Sequence, residues 1–514
     1  MFGTSLRRAA RLHGNRFAFK CQGRSIDWST LLERAYRLST GLGRLGIVRG
    51  DRLAMLLPNG LAGIELFASS VLSGHVIVPL NFRWSIDELA DALADCSAKA
   101  LVVDDQFRDS GVAAAARAQT TLIDGGSRPA DGSIIYDSLF DAFASPASMS
   151  DCADSDLLAI FYTGGTTGRS KGVMLSHGST AYVAMASMAE GAYGADEIYL
   201  HTSPSFHIAG AMNVFQAFIC ASRNVVLPRF EAGAALAAIS EDGVSQSLLV
   251  PTMIGMILDH PNLTGTDTSS VRRILYGAAP MTDALLDRAM TAFPGAEFMQ
   301  LYGMTETTSN ACILHSRAFT APGGKRLLSR SVGRALLGSE VGIFGHAGDP
   351  LPPGEVGEIA IRGPGVMLGY WNRPDATAAA VRGGWMHTGD GGSMDAEGYV
   401  YLADRIKDMI ISGGENIYSL EVEAILVQHP SVRQCAVIGI PHPVWGEAVH
   451  AVVTLNDGAS FDEQALIDFC RGKIARYKLP RSIEHRDELP LTAAGKVMKR
   501  ELRATRKTHA STRR

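Results

Sequence analysis

Between Asp51 and Val103, short apolar runs alternate with segments of helical period, and the same alternation returns between Asn224 and Leu301. Arg52 to Leu57, Val76 to Leu80 and Ala98 to Val103 read as strands, with helices over Leu61 to Leu72 and Ser85 to Asp95. Later strands are expected at Asn224 to Leu227, Ser247 to Val250, Arg273 to Tyr276 and Glu297 to Leu301. Helices near Ala232 to Ser240, Thr252 to Asp259 and Thr282 to Ala292 separate them. Strands that alternate with helices in this way argue for sheets covered by helices, so the chain is α/β, with two similar units in series.

The texture changes near Ser331. Val341 to Phe344, Gly357 to Arg362 and Tyr399 to Leu402 are short strands between Gly/Pro turns, a β-rich subdomain. A last unit of about 110 residues opens at Asp404, with helices at Ser419 to His429 and Asp462 to Ile474 and strands at Gln434 to Ile440 and Glu447 to Leu455. The expected organisation is therefore a large domain over 1–403, with two helix-covered mixed sheets and the β-rich part, and a small α+β domain over 404–514, with a tight hinge at Asp404. A 514-residue chain that is 46% hydrophobic can fill several cores. Its net charge of −4 provides no field to recruit nucleic acid or an anionic membrane. The seven cysteines form no Cys-x-x-Cys pair, so neither a disulfide framework nor a zinc site is implied, and a reducing, cytoplasmic setting is expected. The longest apolar region, His207 to Leu227, is interrupted by Asn213, Gln216 and Arg223 and reads as a buried strand or helix, not a membrane span. The arginine-rich first twenty residues read as an ordinary amphipathic helix.

The stretch Tyr162 to Gly172 carries glycines, threonines and a lysine between two apolar runs. Glycines let backbone N–H groups converge on one ligand, hydroxyls add donors and the lysine adds charge, a composition that suits a polyphosphate. It does not match the Gly-x-x-x-x-Gly-Lys-Ser/Thr spacing of a P-loop. Gly41-Leu42-Gly43-Arg44-Leu45-Gly46 spells a dinucleotide fingerprint, but it follows a helix and leads toward a strand, the reverse of the required order, so a helix-ending turn is expected. Neither a Gly-x-Ser-x-Gly elbow nor a His-Glu-x-x-His helix is present, which removes the commonest hydrolase chemistries.

Four further segments complete a pattern: Leu301-Tyr302-Gly303-Met304-Thr305-Glu306, Gly384 to Asp390, Asp404 to Ile417, and Pro490 to Lys496. With the loop, these motifs resemble the adenylate-forming superfamily of acyl-CoA synthetases, firefly luciferases and peptide-synthetase adenylation domains, from roughly Leu6 to Leu502. Within it the chain is similar to compact bacterial fatty-acyl-CoA ligases. The resemblance implies ATP, Mg2+ and coenzyme A as cofactors, a carboxylic acid as substrate and a two-step reaction. The acid attacks the α-phosphate of ATP and expels pyrophosphate; the CoA thiol then displaces AMP. Catalysis of that kind is mostly positioning and charge neutralisation.

By the same resemblance, Thr163, Gly164, Gly165, Thr166, Thr167, Gly168 and Lys171 hold the phosphates. Glu306 is the Mg2+ ligand, with Thr166 beside the metal, and Thr305 points to the α-phosphate. Gly277, Ala278, Ala279, Pro280, Tyr302 and Gly303 flank the adenine. Asp390 binds the ribose with Arg405 beside it, Lys496 is the adenylation lysine, and His207 sits beside the substrate carboxylate. After rotation about Asp404, Gly413 and Gly414 leave room for a pantetheine thiol, and Trp445 belongs to a turn typical of acyl-CoA synthetases. Gly165 and Ser170 stand where the family commonly has serine and proline. The lysine of the luciferase branch is missing near Ile410 to Gly413, which argues against light emission. The implied acid is a medium- or long-chain fatty acid, with an aryl or phenylpropanoid acid as runner-up. An enzyme loading a separate carrier protein, or a non-catalytic nucleotide binder, are the alternatives. The implied partners are small molecules, without nucleic acid or a membrane span, and a homodimer is compatible with them.

Overall fold

The computed structural model describes residues 1–141, 152–163, 170–279, 281–321, 324, 326–345, 347–405, 408–412, 415–491 and 497–504. By internal contacts the chain divides into two compact units. The first comprises Met1–Gly277, Asp283–Val341 and Ile361–Met386; the second comprises Ala278–Thr282, Gly342–Ala360 and His387–Arg514.

In the first unit the described residues form two large mixed sheets. The nine-stranded sheet runs Arg334–Ala335, Cys312–His315, Glu297–Tyr302, Arg273–Gly277, Gln246–Leu249, Ile198–His201, Arg223–Val226, Phe17–Cys21, Arg24–Asp27. Its strands from Glu297–Tyr302 to Phe17–Cys21 are parallel, and antiparallel pairs close both edges. In the eight-stranded sheet, Arg52–Leu56, Val76–Pro79, Ala100–Val103 and their neighbours are parallel, while Leu157–Thr163 and Lys171–Ser176 form an antiparallel hairpin. Strands such as Val76–Pro79 and Ala100–Val103 are buried at every position, as expected of strands covered on both faces. Aromatic rings tie the helices of the core together: Phe215 meets Phe2 at 5.2 Å and Phe67 at 5.3 Å. The helix Ile86–Asp95 starts on a capping box in which Ser85 and Glu88 satisfy each other's backbone N–H groups.

Some boundaries differ from the sequence pattern. The region 207–227 holds a helix, Ile208–Cys220, that turns directly into the strand Arg223–Val226, close to the strand expected at Asn224 to Leu227. Ala221 makes that turn at φ +57°, without a glycine or proline to mark it. The glycine series at 41–46 does end a helix, with Gly46 at φ +76°, but later than its first glycine. The helix Trp28–Arg44 runs through Gly41 and Gly43, and Gly41 lets the backbone of Leu139 approach so closely that a Cβ would stand 2.3 Å from its carbonyl oxygen. Two helices of the second unit are shorter than their pattern suggested. Ser419–Leu426 stops short of Pro430, which disfavours helix before it, and Glu463–Cys470 ends at an extended Arg471 before Gly472 at φ +76°.

The second unit carries a sheet ordered Glu415–Ile417, Ile410–Ser412, Gly446–Leu455, Val432–His442, with Ser482–His485 also on Gly446–Leu455. Ile410, Val422, Val437, Val449 and Leu466 fill its core. Its β-rich part pairs Trp385–Met394 with Val400–Arg405, placing Asp390 opposite Arg405. Among the described residues no helix is long and apolar enough to cross a membrane.

Candidate functional site

The parallel strands of the nine-stranded sheet deliver several motif residues at their C-terminal ends, where open α/β sheets bind ligands. Glu297–Tyr302 ends in a turn whose 3-10 segment is Thr305–Thr307. Two non-glycine residues there, Thr308 at φ +55° and Ser309 at φ +92°, hold left-handed backbone, local strain of the kind that collects at functional sites. Gly303 is required by the tightness of the turn, since a Cβ there would lie 1.9 Å from the Ser309 carbonyl oxygen. The adjacent strand Arg273–Gly277 ends on a glycine pressed against Leu301, followed by Ala278 at φ +65°. Ala278 and Ala279 are described; Pro280 lies outside the described residues.

Glu306 is buried, 6% exposed, and its Oε1 accepts a hydrogen bond from the Tyr370 hydroxyl at 2.8 Å. Burial, and next the Glu306 charge, push that hydroxyl far above its ordinary value, so it remains a donor. Lys171 opens the strand Lys171–Ser176 and faces Thr163 across the hairpin, with its ammonium 4.9 Å from the centre of the Tyr370 ring. Lys171, Tyr370 and Glu306 are thus gathered from three distant stretches of chain. Tyr370 was not foreseen from the sequence. The only local sign of it is an aromatic pair, Tyr370-Trp371, in a stretch rich in glycine. Gly164, Gly165, Thr166, Thr167 and Gly168 lie outside the described residues.

His207 occupies the N-cap position of the helix Ile208–Cys220, and its ring lies tilted against Phe206, with 4.5 Å between ring centres. Phe206 meets Phe82 edge-on at 4.8 Å, and Phe82 stacks on Phe107 at 4.7 Å. The loop before His207 is held by Asn59, a second residue missed from the sequence. Its amide donates to the carbonyls of Ser203 and Leu227 at 3.0 and 3.3 Å, and its oxygen accepts from the Ser205 N–H at 2.8 Å.

In the second unit, Asp390 follows Gly389 at φ +72°, and its N–H donates to Thr388 Oγ1 at 3.1 Å. Arg405 stands opposite in the strand pair. Trp445 is 46% exposed in a turn where His442 Nδ1 accepts both the Val444 and Trp445 N–H groups at 3.2 Å. Gly446 pairs with Ser412, so this turn adjoins the strand that leads into Gly413 and Gly414, which themselves lie outside the described residues. Lys496 also lies outside them, but the chain on either side is anchored. Leu491 bridges to Val497, Lys499 pairs with Glu423 at 2.7 Å and with Ser419, and Arg503 pairs with Asp408 at 2.8 Å.

Among the described residues no group of three His, Cys, Asp or Glu side chains is arranged to hold a metal ion. A single buried carboxylate suits a cation that arrives on nucleotide phosphates, because Mg2+ is usually held by one or two carboxylates together with phosphate oxygens and water.

The chain matches the AMP-binding enzyme family over residues 6–371 and the AMP-binding enzyme C-terminal domain over 421–496. A feruloyl-CoA synthase of an Amycolatopsis species is 39% identical over 497 residues, covering 96% of this chain and 97% of that protein. The long-chain-fatty-acid–CoA ligase FadD13 of Mycobacterium tuberculosis is 35% identical, with 91% of each chain covered. The crystal structure of ATP-bound MatB from Rhodopseudomonas palustris superposes with a TM-score of 0.89 at 31% identity, covering 98% of this chain and 99% of that one. The protein belongs to the AMP-binding enzyme family, as its motifs led us to expect. It is an AMP-forming acid–thiol ligase of the carboxylate–CoA type, working with ATP, Mg2+ and coenzyme A.

Proposed function

We propose that this ligase activates an aromatic carboxylic acid of the hydroxycinnamate type, using Glu306, Lys171, Thr163 and Thr305 on the triphosphate and Lys496 on the reacting carboxylate. The observation that carries the site is the Lys171–Tyr370–Glu306 cluster, a cation and a carboxylate fixed around one buried phenol. Support for the acid comes from the feruloyl-CoA synthase likeness; the fatty-acid reading is favoured by the FadD13 likeness.

In the first step a carboxylate oxygen bonds to the α-phosphorus, the bond to the β-phosphate oxygen breaks, and pyrophosphate leaves with that electron pair. Lys171, with Thr163, Thr166 and Thr167, neutralises the charge that develops on the departing phosphates. Lys496 holds the attacking carboxylate against the α-phosphate, and Asp390 with Arg405 keeps the ribose in place. Mg2+, held by Glu306 and nucleotide oxygens, would withdraw charge from the phosphates when bound. In the second step the thiol sulfur attacks the acyl carbon, AMP leaves, and the thiol proton passes to solvent. Gly413, Gly414 and Trp445 line the thiol's approach once the small domain has turned about Asp404.

One experiment tests both the acid and the two-step reading. Pyrophosphate release and acyl-CoA formation are measured over hydroxycinnamic, benzoic and medium- to long-chain aliphatic acids, with the parent and with Lys496→Ala. The expected outcome is at least about a tenfold advantage in kcat/KM for the hydroxycinnamic acids, ~1.4 kcal/mol of transition-state discrimination. Lys496→Ala should lose about 10²–10³ in pyrophosphate release while still converting supplied acyl-adenylate. A preference for aliphatic acids overturns the substrate assignment, and equal damage to both half-reactions overturns the role of Lys496.

A further inference from the structure

The segment 363–371 joins the two halves of the phosphate site. On one side it is bonded to the Glu306 turn: Thr308 Oγ1 donates to the Gly365 carbonyl at 2.6 Å, and the Met367 N–H donates to the Glu306 carbonyl at 2.9 Å. On the other it pairs with the strand that follows the glycine-rich loop. Leu368 N–H donates to the Met174 carbonyl at 2.9 Å and Trp371 N–H to the Gly172 carbonyl at 2.7 Å, with Tyr370 in register with Val173. Its end is tied down by Asp95, whose carbonyl accepts from Trp371 Nε1 at 3.0 Å and whose carboxylate accepts from Arg373 at 2.9 Å and from Tyr162 at 2.8 Å. Gly369 at φ +141° sits where a Cβ would come within 2.8 Å of Thr377. The backbone of this segment is therefore fixed to both sides, and Tyr370 is the side chain it presents between them.

We infer that Tyr370 is a positioning residue for adenylation: its hydroxyl sets the rotation of the Glu306 carboxylate, and its ring face holds the Lys171 ammonium. The inference rests on the reading of Glu306 as the metal ligand. A carboxylate whose Oε1 is held by a fixed donor at 2.8 Å cannot swing about its terminal bond without losing that bond. Groups that orient a metal ligand commonly change metal affinity by about tenfold or more when they are removed. The ring contributes separately, because a cation over an aromatic face is attracted by the ring quadrupole. One phenol therefore sets the geometry of a carboxylate and an ammonium that have no need to touch each other.

The two contributions are separable by substitution. Tyr370→Phe removes the hydroxyl and keeps the ring; Tyr370→Leu removes both. The full-length chain is titrated with Mn2+ in the presence of a non-hydrolysable ATP analogue, with free Mn2+ read by electron paramagnetic resonance. Binding of the same analogue is measured in chelator, and Glu306→Gln is run alongside. Tyr370→Phe should weaken Mn2+ binding about tenfold and raise the Mg2+ needed for half-maximal adenylation by a similar factor, leaving the KM for the acid and the metal-free nucleotide affinity unchanged. Tyr370→Leu should show the same metal effect and also lower the metal-free nucleotide affinity by about twofold to fivefold.

If Glu306→Gln weakens Mn2+ binding and Tyr370→Phe does not, Tyr370 is only a packed core residue and the inference falls. If neither substitution moves the Mn2+ curve, the metal role of Glu306 fails and takes the inference with it. Should the phenylalanine chain not fold, 3-fluorotyrosine at position 370 replaces it. Its more acidic hydroxyl draws charge from the carboxylate and should weaken Mn2+ binding, and an unchanged curve there also overturns the inference.

Discussion

Asn59 shows how much one buried amide can organise. It is 7% exposed, and its three hydrogen bonds fix the loop that presents His207. Asn59→Ala leaves those backbone groups without their partner, and each buried polar group left so costs about 1–3 kcal/mol. The expected outcome is a lower melting temperature and a raised KM for the acid, with the KM for ATP unchanged, checked by calorimetry and steady-state kinetics. Equal increases in both KM values would mean that the loop serves the nucleotide instead. Pro58-Asn59-Gly60, between the strand expected to end at Leu57 and the helix expected from Leu61, carries the composition of a turn and no further signal. The partners of Asn59 lie 144, 146 and 168 residues away, and no local pattern encodes such a meeting. Tyr370 was illegible for the same reason. Glu306 and Lys171, by contrast, carry their chemistry inside short motifs and could be singled out before any fold was known.

Most of the strands and helices between Asp51 and Leu301 were legible because each has its own apolar period and its own punctuation. The pattern failed where a residue adopted a conformation it does not advertise. Ala221 takes positive φ, the task usually given to glycine, and so hides the end of a helix. In the glycine series at 41–46 the expected turn comes only at Gly46, while Gly41 serves close packing inside the helix. Lys499 and Glu423 are both mostly buried, at 13% and 16% side-chain exposure, and Glu423 also accepts the Val437 N–H at 2.7 Å. Lys499→Met would remove this cation from a mostly buried carboxylate, at a cost of about 3 kcal/mol to the second unit. Because Lys499 is three residues from Lys496, pyrophosphate release should slow more than thioester formation from supplied acyl-adenylate. Equal slowing of the two steps would make the pair a general stabiliser.

For the molecule as a whole, acid should weaken the first unit. Burial is the first cause holding His75, His177 and His201 down at about 4, well below the ordinary histidine value. Each is neutral in the fold and charges readily once unfolded. The stability they contribute is complete above about pH 6.5 and is lost as the pH falls from there through 4. The slope approaches ~1.4 kcal/mol per pH unit for each histidine. Melting temperatures measured between pH 7.5 and 5 should therefore decline more steeply below 6.5; a flat profile would show that these rings take up protons as readily in the fold as in the unfolded chain. The order of strands in the sheets has a different consequence, one of timing. Phe17–Cys21 pairs with Arg223–Val226, and Lys171–Ser176 waits for Gly369–Tyr370, about 190 residues further along the chain. A ribosome adding roughly 5–20 residues per second leaves that second edge bare for roughly 10–40 s. During that interval the newborn chain shows an open apolar strand to its neighbours, so its yield in a cell depends on what shields the edge until residue 371 emerges.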